Sequence, residues 1–170
     1  VELICTKPDG NNITIIVKTE IGGTYRYSLS LNNSGSWKII AYWAGNDEYC
    51  EAWSNMVEID VKRLASKITI SISPPIVKEG DLLVINGKLI SSSGEPLDGK
   101  AINIEVSYDN GVSWKTIGSV STNGNGKYSF KWEIERGGAI LIRAKWNGDD
   151  KYEGVLSNTV ALMVGKDSYS

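Results

Sequence analysis

Hydrophobic residues in this 170-residue chain fall on alternate positions almost from end to end. Ile13, Ile15 and Val17 share one side of an extended segment. So do Tyr25, Tyr27, Leu29 and Leu31, then Trp37, Ile39, Ala41 and Trp43, then Val57, Ile59 and Val61. The pattern continues through Ile68, Ile70 and Ile72; Leu83 and Ile85; Ile102, Ile104 and Val106; Tyr128, Phe130, Trp132 and Ile134; Ile140, Ile142, Ala144 and Trp146; and Val160, Leu162 and Val164. A spacing of two puts side chains on one face of a strand, whereas a helix needs a spacing near 3.6, which no stretch offers. Turn formers separate the runs, among them Pro8-Asp9-Gly10, Asn33-Ser34-Gly35, Ser93-Gly94-Glu95-Pro96, Asp109-Asn110-Gly111 and Asn123-Gly124-Asn125-Gly126. The pattern predicts an all-β chain of antiparallel, half-buried strands.

The chain also repeats itself. Tyr128 follows Tyr25 by 103 residues, and the same offset aligns Gly35 with Gly138, Ile39 with Ile142, Ala41 with Ala144 and Trp43 with Trp146 without a gap. It goes on to pair Gly45 with Gly148, Asp47 with Asp150, Tyr49 with Tyr152, Ser54-Asn55 with Ser157-Asn158, Val57 with Val160 and Val61 with Val164. A chain of this length suits one large or two small domains, and the repeat selects two. The second, residues 65–165, has the strand number and turn spacing of a complete seven-stranded β-sandwich of immunoglobulin-like type. Pro74-Pro75 suits a first strand that breaks and crosses between sheets, because proline cannot donate to a central ladder. The first, residues 1–64, is short. Pro8-Asp9-Gly10 matches Asp109-Asn110-Gly111, so Val1 falls near Ile102 and nothing corresponds to Ser66–Ala101. The expectation is tandem sandwiches, the first lacking its N-terminal strands. Those strands would lie upstream, come from another chain by strand donation, or be replaced by repacking of what remains. Residues 166–170 read as a polar tail. The junction Lys62-Arg63-Leu64-Ala65-Ser66 holds no glycine or proline, which predicts a stiff end-to-end pair.

Composition narrows the function classes. A net charge of −2 gives no electrostatic reason to expect nucleic acid or an anionic membrane surface. No apolar run reaches the roughly 18 residues that a membrane-spanning helix needs. Val1–Cys5 lacks the basic start and cleavage site of a signal peptide, so the sequence is expected to be a piece of a longer mature protein. Histidine is absent, which removes Ser-His and Cys-His nucleophile pairs and histidine metal ligands. No glycine-rich loop ends in Lys-Ser/Thr to cradle a phosphate. The acidic residues sit in turns and on outward strand positions, so the chain is expected to be no enzyme.

The segment Gly126-Lys127-Tyr128-Ser129-Phe130, followed by Gly138-Ala139-Ile140-Leu141-Ile142-Arg143-Ala144-Lys145-Trp146-Asn147-Gly148-Asp149-Asp150-Lys151-Tyr152 and Ser157, resembles the late strands of bacterial and archaeal Ig-like repeats of large cell-surface proteins, of the S-layer and adhesin type. Val106–Trp114 is similar to the middle hairpin of those repeats. The resemblance covers the second unit and the later part of the first, where Asn46 stands in place of the first loop aspartate and Cys50 and Trp53 are added. It implies an extracellular, non-catalytic module that acts as a rigid spacer and interaction segment. Its partners would be neighbouring Ig-like domains of the same or other surface proteins. Two other roles stay open: an adhesin or carbohydrate-binding module, and a filament subunit assembled by strand donation.

Several residues are candidate sites. Cys5 and Cys50 both lie in the first unit, and their counterparts near Val106 and Glu153 are not cysteines. A disulfide between them would tie a strand to the Ala44–Asn55 loop; the alternative is a buried free Cys5 and a loop Cys50. Asp47, Glu48, Asp149 and Asp150 occupy the same loop of both units, where carboxylates and carbonyls could take Ca²⁺, although Asx-rich turns need no metal. Trp43, Trp132, Trp146 and Trp37 fall on inward positions. Trp53 and Trp114 lie near loops and are the candidates to stack on a sugar ring, with edge-of-core packing as the plainer reading. Asn12-Ile13-Thr14 and Asn32-Asn33-Ser34 are glycosylation triplets, with Asn12 and Asn32 as acceptors.

Overall fold

A computed structural model describes residues 1–166 as strands and turns, with no helix. Of the expected polar tail only Lys166 is included; 167–170 lie outside the described residues. The chain divides into two compact units, Val1–Arg63 and Leu64–Ser170.

The first unit is one sheet. Its strands are β1 (Glu2–Thr6), β2 (Asn12–Ile16), β3 (Gly35–Trp43), β4 (Ala52–Trp53) and β5 (Val57–Val61). The order is β2-β1-β3, and β4 and β5 take successive stretches of the far edge of β3. Opposed residues of antiparallel strands share a face, so Ile13, Cys5, Ile39 and Val57 form one row across the sheet. Trp37 is buried on that face, and its indole N–H donates to the Asn33 carbonyl at 2.8 Å. The strand expected at Tyr25–Leu31 is absent: residues 17–34 form none.

The second unit holds β6 (Ser66–Ile68), β7 (Ser71–Ser73), β8 (Val77–Lys78), β9 (Leu82–Ser91), β10 (Ala101–Ser107), β11 (Lys115–Ser121), β12 (Lys127–Glu133), β13 (Gly138–Gly148), β14 (Glu153–Leu156) and β15 (Val160–Gly165). One sheet runs β11-β10-β13-β15-β8, with β14 also on β13; the other runs β12-β9-β6, with β7 also on β9. Their inner faces share one core that includes Leu83, Ile85, Leu89, Ile102, Ile104, Tyr128, Trp132, Ile140, Ile142 and Trp146. Two sheets, antiparallel except for β8 beside β15, closed on one core form a β-sandwich of immunoglobulin-like layout. Pro74-Pro75 lies where the first strand changes sheet: β7 pairs with β9, and β8 runs parallel to β15 in the opposite sheet.

The strands on either side of β3 in the first unit match those beside β13 in register, while the β10–β11 ladder carries a shift at Ile104/Glu105 that β1–β2 lacks. Ile39 opposes Val57 and Gly35 opposes Val61, as Ile142 opposes Val160 and Gly138 opposes Val164. Cys5 opposes Ile39 as Val106 opposes Ile142. The second layer has no strand in the first unit. That layer is built around β9, which has no counterpart there, and β12 pairs along β9 from Lys127↔Lys88 to Glu133↔Leu82. Residues 24–30 have the alternation of β12 but no edge to pair with, and a strand without a partner ladder leaves its backbone groups to water.

Candidate functional site

The acidic loop is a turn device in both units. In the second, Asp149 Oδ1 accepts the backbone N–H of Lys151 at 2.9 Å and of Tyr152 at 2.8 Å, while Oδ2 takes the Lys100 ammonium at 2.5 Å. Burial alone would raise the Asp149 carboxyl. The Lys100 contact and the two amides outweigh it and hold the group below its ordinary value. In the first unit Asn46 Oδ1 accepts the N–H of Glu48 at 3.0 Å and of Tyr49 at 2.8 Å. An uncharged amide thus makes the same turn, which therefore requires neither a charge nor an ion. Asp47, Glu48 and Asp150 are exposed. Among the described residues no group of three or more His, Cys, Asp or Glu side chains could hold a metal ion.

Just beyond the loop a serine is used identically in both units. Ser157 Oγ accepts the Ala144 N–H at 2.8 Å and donates to the Asn158 carbonyl at 2.8 Å. Ser54 Oγ accepts the Ala41 N–H at 2.9 Å and donates to the Asn55 carbonyl at 2.8 Å. The Ser-Asn pair in each unit is a structural plug.

Trp114 is half-buried. The Arg143 guanidinium lies over it at 3.9 Å, itself held by a 2.7 Å bond from Arg143 Nε to Glu105. Stacking of this kind occupies one face of the indole. The neighbouring hairpin is fixed by Asp109, which accepts from Ser107 Oγ at 2.7 Å and from Ser113 N at 2.9 Å. Together with the Ser113 hydroxyl, these bonds hold the Asp109 carboxyl down at about 2.

Trp53 is different. It is 55 % exposed and packs tilted against Tyr42, ring centroids 4.3 Å apart at 36°. The Tyr42 hydroxyl donates to Glu51 at 3.0 Å, and that bond raises its pKa, with burial and the charges of Glu51 and Glu2 adding to the effect. Strand register gathers more residues onto the same outer face. Ile16, Glu2, Tyr42 and Trp53 form one row across β2, β1, β3 and β4, and Ile4 opposes Ile40 two residues along. The corresponding row of the second unit reads Ser119, Asn103, Lys145 and Leu156, and Glu105–Arg143 stands where Ile4–Ile40 does. The aromatic row with its two carboxylates is thus confined to the first unit. Trp53 alone was legible in the sequence. Tyr42 and Glu2 join it only through register, which alternation does not fix across strands.

At one end of the sheet a cleft of about 170 Å³ is lined by Val1, Tyr25, Ala41, Trp43, Ala52 and Ser54 together with Tyr42 and Trp53 of the outer row. Trp43 is 37 % exposed, whereas Trp146, aligned with it in sequence, is 4 % exposed and packs 6.4 Å from the Tyr152 ring.

The expected Cys5–Cys50 disulfide is corrected: both thiols are free, Cys5 buried and Cys50 exposed. Register gives the reason. Cys5 opposes Ile39, whereas Cys50 lies two residues before Ala52, which opposes Trp43. The two cysteines therefore flank β3 positions at least four residues apart, about 13 Å or more along a strand, and a disulfide needs Cα atoms within about 7 Å. Burial pushes the Cys5 thiol up in pKa. Asn12 and Asn32 are both exposed.

No known family profile matches the chain, and no characterised protein matches it in sequence. Among solved structures it is similar to the fibronectin(III)-like modules of CbhA from Clostridium thermocellum, at 15 % identity over 99 % of this chain and 80 % of that one, TM-score 0.45. It is similar to the D00-D0 domain of intimin at 13 % identity over 95 % and 78 %, TM-score 0.41. Domains 4 and 5 of the S-layer protein SbsC match at 13 % identity over 98 % of each chain, TM-score 0.32. The fold described above rests on strand order and register. No helix among the described residues is long and apolar enough to cross a membrane.

Proposed function

We propose that the chain is a non-catalytic pair of Ig-like repeats in an extracellular surface protein, with a division of labour between them. The second unit is a structural spacer, and the first carries the interaction surface. The carrying observation is the contrast between the two matched sheets. In the second unit Asp149 is tied to Lys100 and Arg143 to Glu105 and Trp114, so these conspicuous side chains hold the fold. In the first unit Ile4–Ile40 stands in place of the Glu105–Arg143 pair, Trp53 in place of Leu156 is exposed, and Trp43 in place of Trp146 is partly so. The start of the second unit also supports a tether role. Leu64 donates to the Lys151 carbonyl and accepts from Glu153 N, each at 2.8 Å, and Ser66 Oγ donates to the Glu153 carbonyl at 2.9 Å. The junction residues are thereby anchored within the second unit. Small-angle scattering of the chain beside a variant with Gly-Ser inserted after Arg63 tests the spacer role. A larger radius of gyration for the unmodified chain supports it, and equal flexibility counts against it.

A second reading is favoured by the Tyr42–Trp53 row: a carbohydrate-binding or adhesive surface. Two aromatic rings beside Glu2 and Glu51 offer apolar stacking for the face of a sugar ring and acceptors for its hydroxyls. Glycan-array binding by the full chain, lost in Trp53→Ala and kept in Trp114→Ala, supports this reading. Binding lost equally in both variants, or absent from the unmodified chain, removes it. Exposed Asn12 and Asn32 would place any attached glycans on the first unit as well.

A further inference from the structure

We infer that the inner face of the first unit is an acceptor groove for an extended polypeptide strand of stated pattern: apolar-x-apolar-x-Gly-x-apolar, docked antiparallel to residues 24–30. The inference rests on the reading of the two units as repeats; it does not rest on the outer aromatic row. Its template is the second unit. There β12 pairs with β9 in a fixed register, Tyr128 opposite Gly87, Phe130 opposite Ile85 and Trp132 opposite Leu83. The repeat offset carries those β12 residues onto Tyr25, Tyr27 and Leu29.

The burial states match a groove without its occupant. Tyr128 is 3 % exposed, Tyr25 is 42 % exposed, and Tyr27 and Val57 are exposed as well. Residues 24–31 keep the alternation of a strand yet form no ladder. On that face Cys5 and Trp37 are enclosed, while Trp43 and Tyr25 leave one end open. Unpaired backbone beside a partly open apolar face is a condition under which a foreign strand adds to a fold, with main-chain bonds giving affinity and side-chain pockets giving choice.

The glycine in the pattern has a specific cause. Tyr128 crosses over Gly87 to donate its hydroxyl to the Thr69 carbonyl at 2.5 Å. A Cβ on Gly87 would collide with the Tyr128 ring and with the Thr69 carbonyl. Tyr25, placed as Tyr128 is, requires the same gap in whatever strand lies against it. The apolar positions follow from Leu83, Ile85 and Leu89, all fully buried in the second unit.

The test uses the full chain with a synthetic peptide of the sequence Ser66–Ala101 as occupant, read by hydrogen exchange at residues 24–31. Peptide at saturation is expected to slow exchange there by at least about tenfold. The same peptide with Gly87→Val is expected to give no slowing, and the chain variant Tyr25→Phe a weaker effect. Fusing the segment ahead of Val1 through a Gly-Ser linker covers the case in which the free peptide aggregates. Three results overturn the inference: unchanged exchange at 24–31 in both formats, equal protection by the valine peptide, or the same protection arising from self-association of the chain alone. Loss of glycan binding in Trp53→Ala reports on the outer face and leaves these readings unaffected.

Discussion

Residues 24–30 and 127–133 carry the same alternation and the same tyrosine, and only the second segment becomes a strand. The difference does not lie in local propensity, because Tyr25, Tyr27 and Leu29 are as suited to a pleated surface as Tyr128, Phe130 and Trp132. It lies in the edge on offer. β12 has β9 beside it, and residues 24–30 have no paired strand. Strand propensity is thus largely a statement about neighbours. The same holds for burial: Trp146 and Trp43 occupy equivalent positions, yet the sheet packed above decides whether the indole is enclosed.

The largest expected effect tests that claim directly. Trp146→Ala should cost the second unit about 3–5 kcal/mol, the range for deleting a large enclosed aromatic side chain. Trp43→Ala should cost the first unit roughly 1–2 kcal/mol, since less area leaves contact with its neighbours. Hydrogen exchange read by mass spectrometry reports each unit separately. Equal losses in the two units would break the comparison and mean that the face around Trp43 is covered in solution. A smaller effect comes next. Ser157→Ala strands the buried Ala144 N–H and should cost about 1–3 kcal/mol, with Ser54→Ala at the lower end because Ala41 N–H is closer to solvent. A larger loss for Ser54→Ala would reverse the order of packing proposed for the two sheets.

Much of the fold was legible in the sequence for identifiable reasons. Alternation fixes strand faces, and the repeat offset carries register from one unit to the other, which is why Gly35 and Gly138 both open a strand. Pro74-Pro75 marked the sheet change because a missing N–H cannot sit in a central ladder. Three features were not legible. The strand at Tyr25–Leu31 fails for want of a partner, a fact outside its own residues. The Cys5–Cys50 pairing fails on distance along β3, which sequence spacing does not encode. The stacking on Trp114 comes from Arg143, 29 positions away in sequence and brought over it by the pairing of both β11 and β13 with β10. Of the candidate site, Trp53 was visible as an exposed aromatic, while Tyr42 and Glu2 became its neighbours only once β1, β3 and β4 were aligned.

The smallest expected effect separates the two acidic loops by pH. Asp149 has a lowered pKa in the folded state, so its stabilising contribution is present above the ordinary carboxyl value of 3.8 and is lost as pH falls through the folded value below that. Asn46 makes the same turn without a titrating group, so the loop of the first unit should hold its exchange protection across that range. Asp149→Asn should therefore flatten the acid sensitivity of residues 149–153 at a modest cost at neutral pH, where the Lys100 contact is lost. Asn46→Asp should introduce acid sensitivity at residues 46–50. The second unit will retain some acid dependence from Asp109, whose pKa is near 2, and the first from Asp9, held low by the Asn11 amide and side chain. The readout is therefore local amide exchange in each loop as pH is lowered from neutral. If Asp149→Asn left the acid response of its own loop unchanged, the turn would be held by its backbone alone. The shared Asx geometry of the two units would then be a consequence of chain path, with the side-chain cap contributing nothing to it.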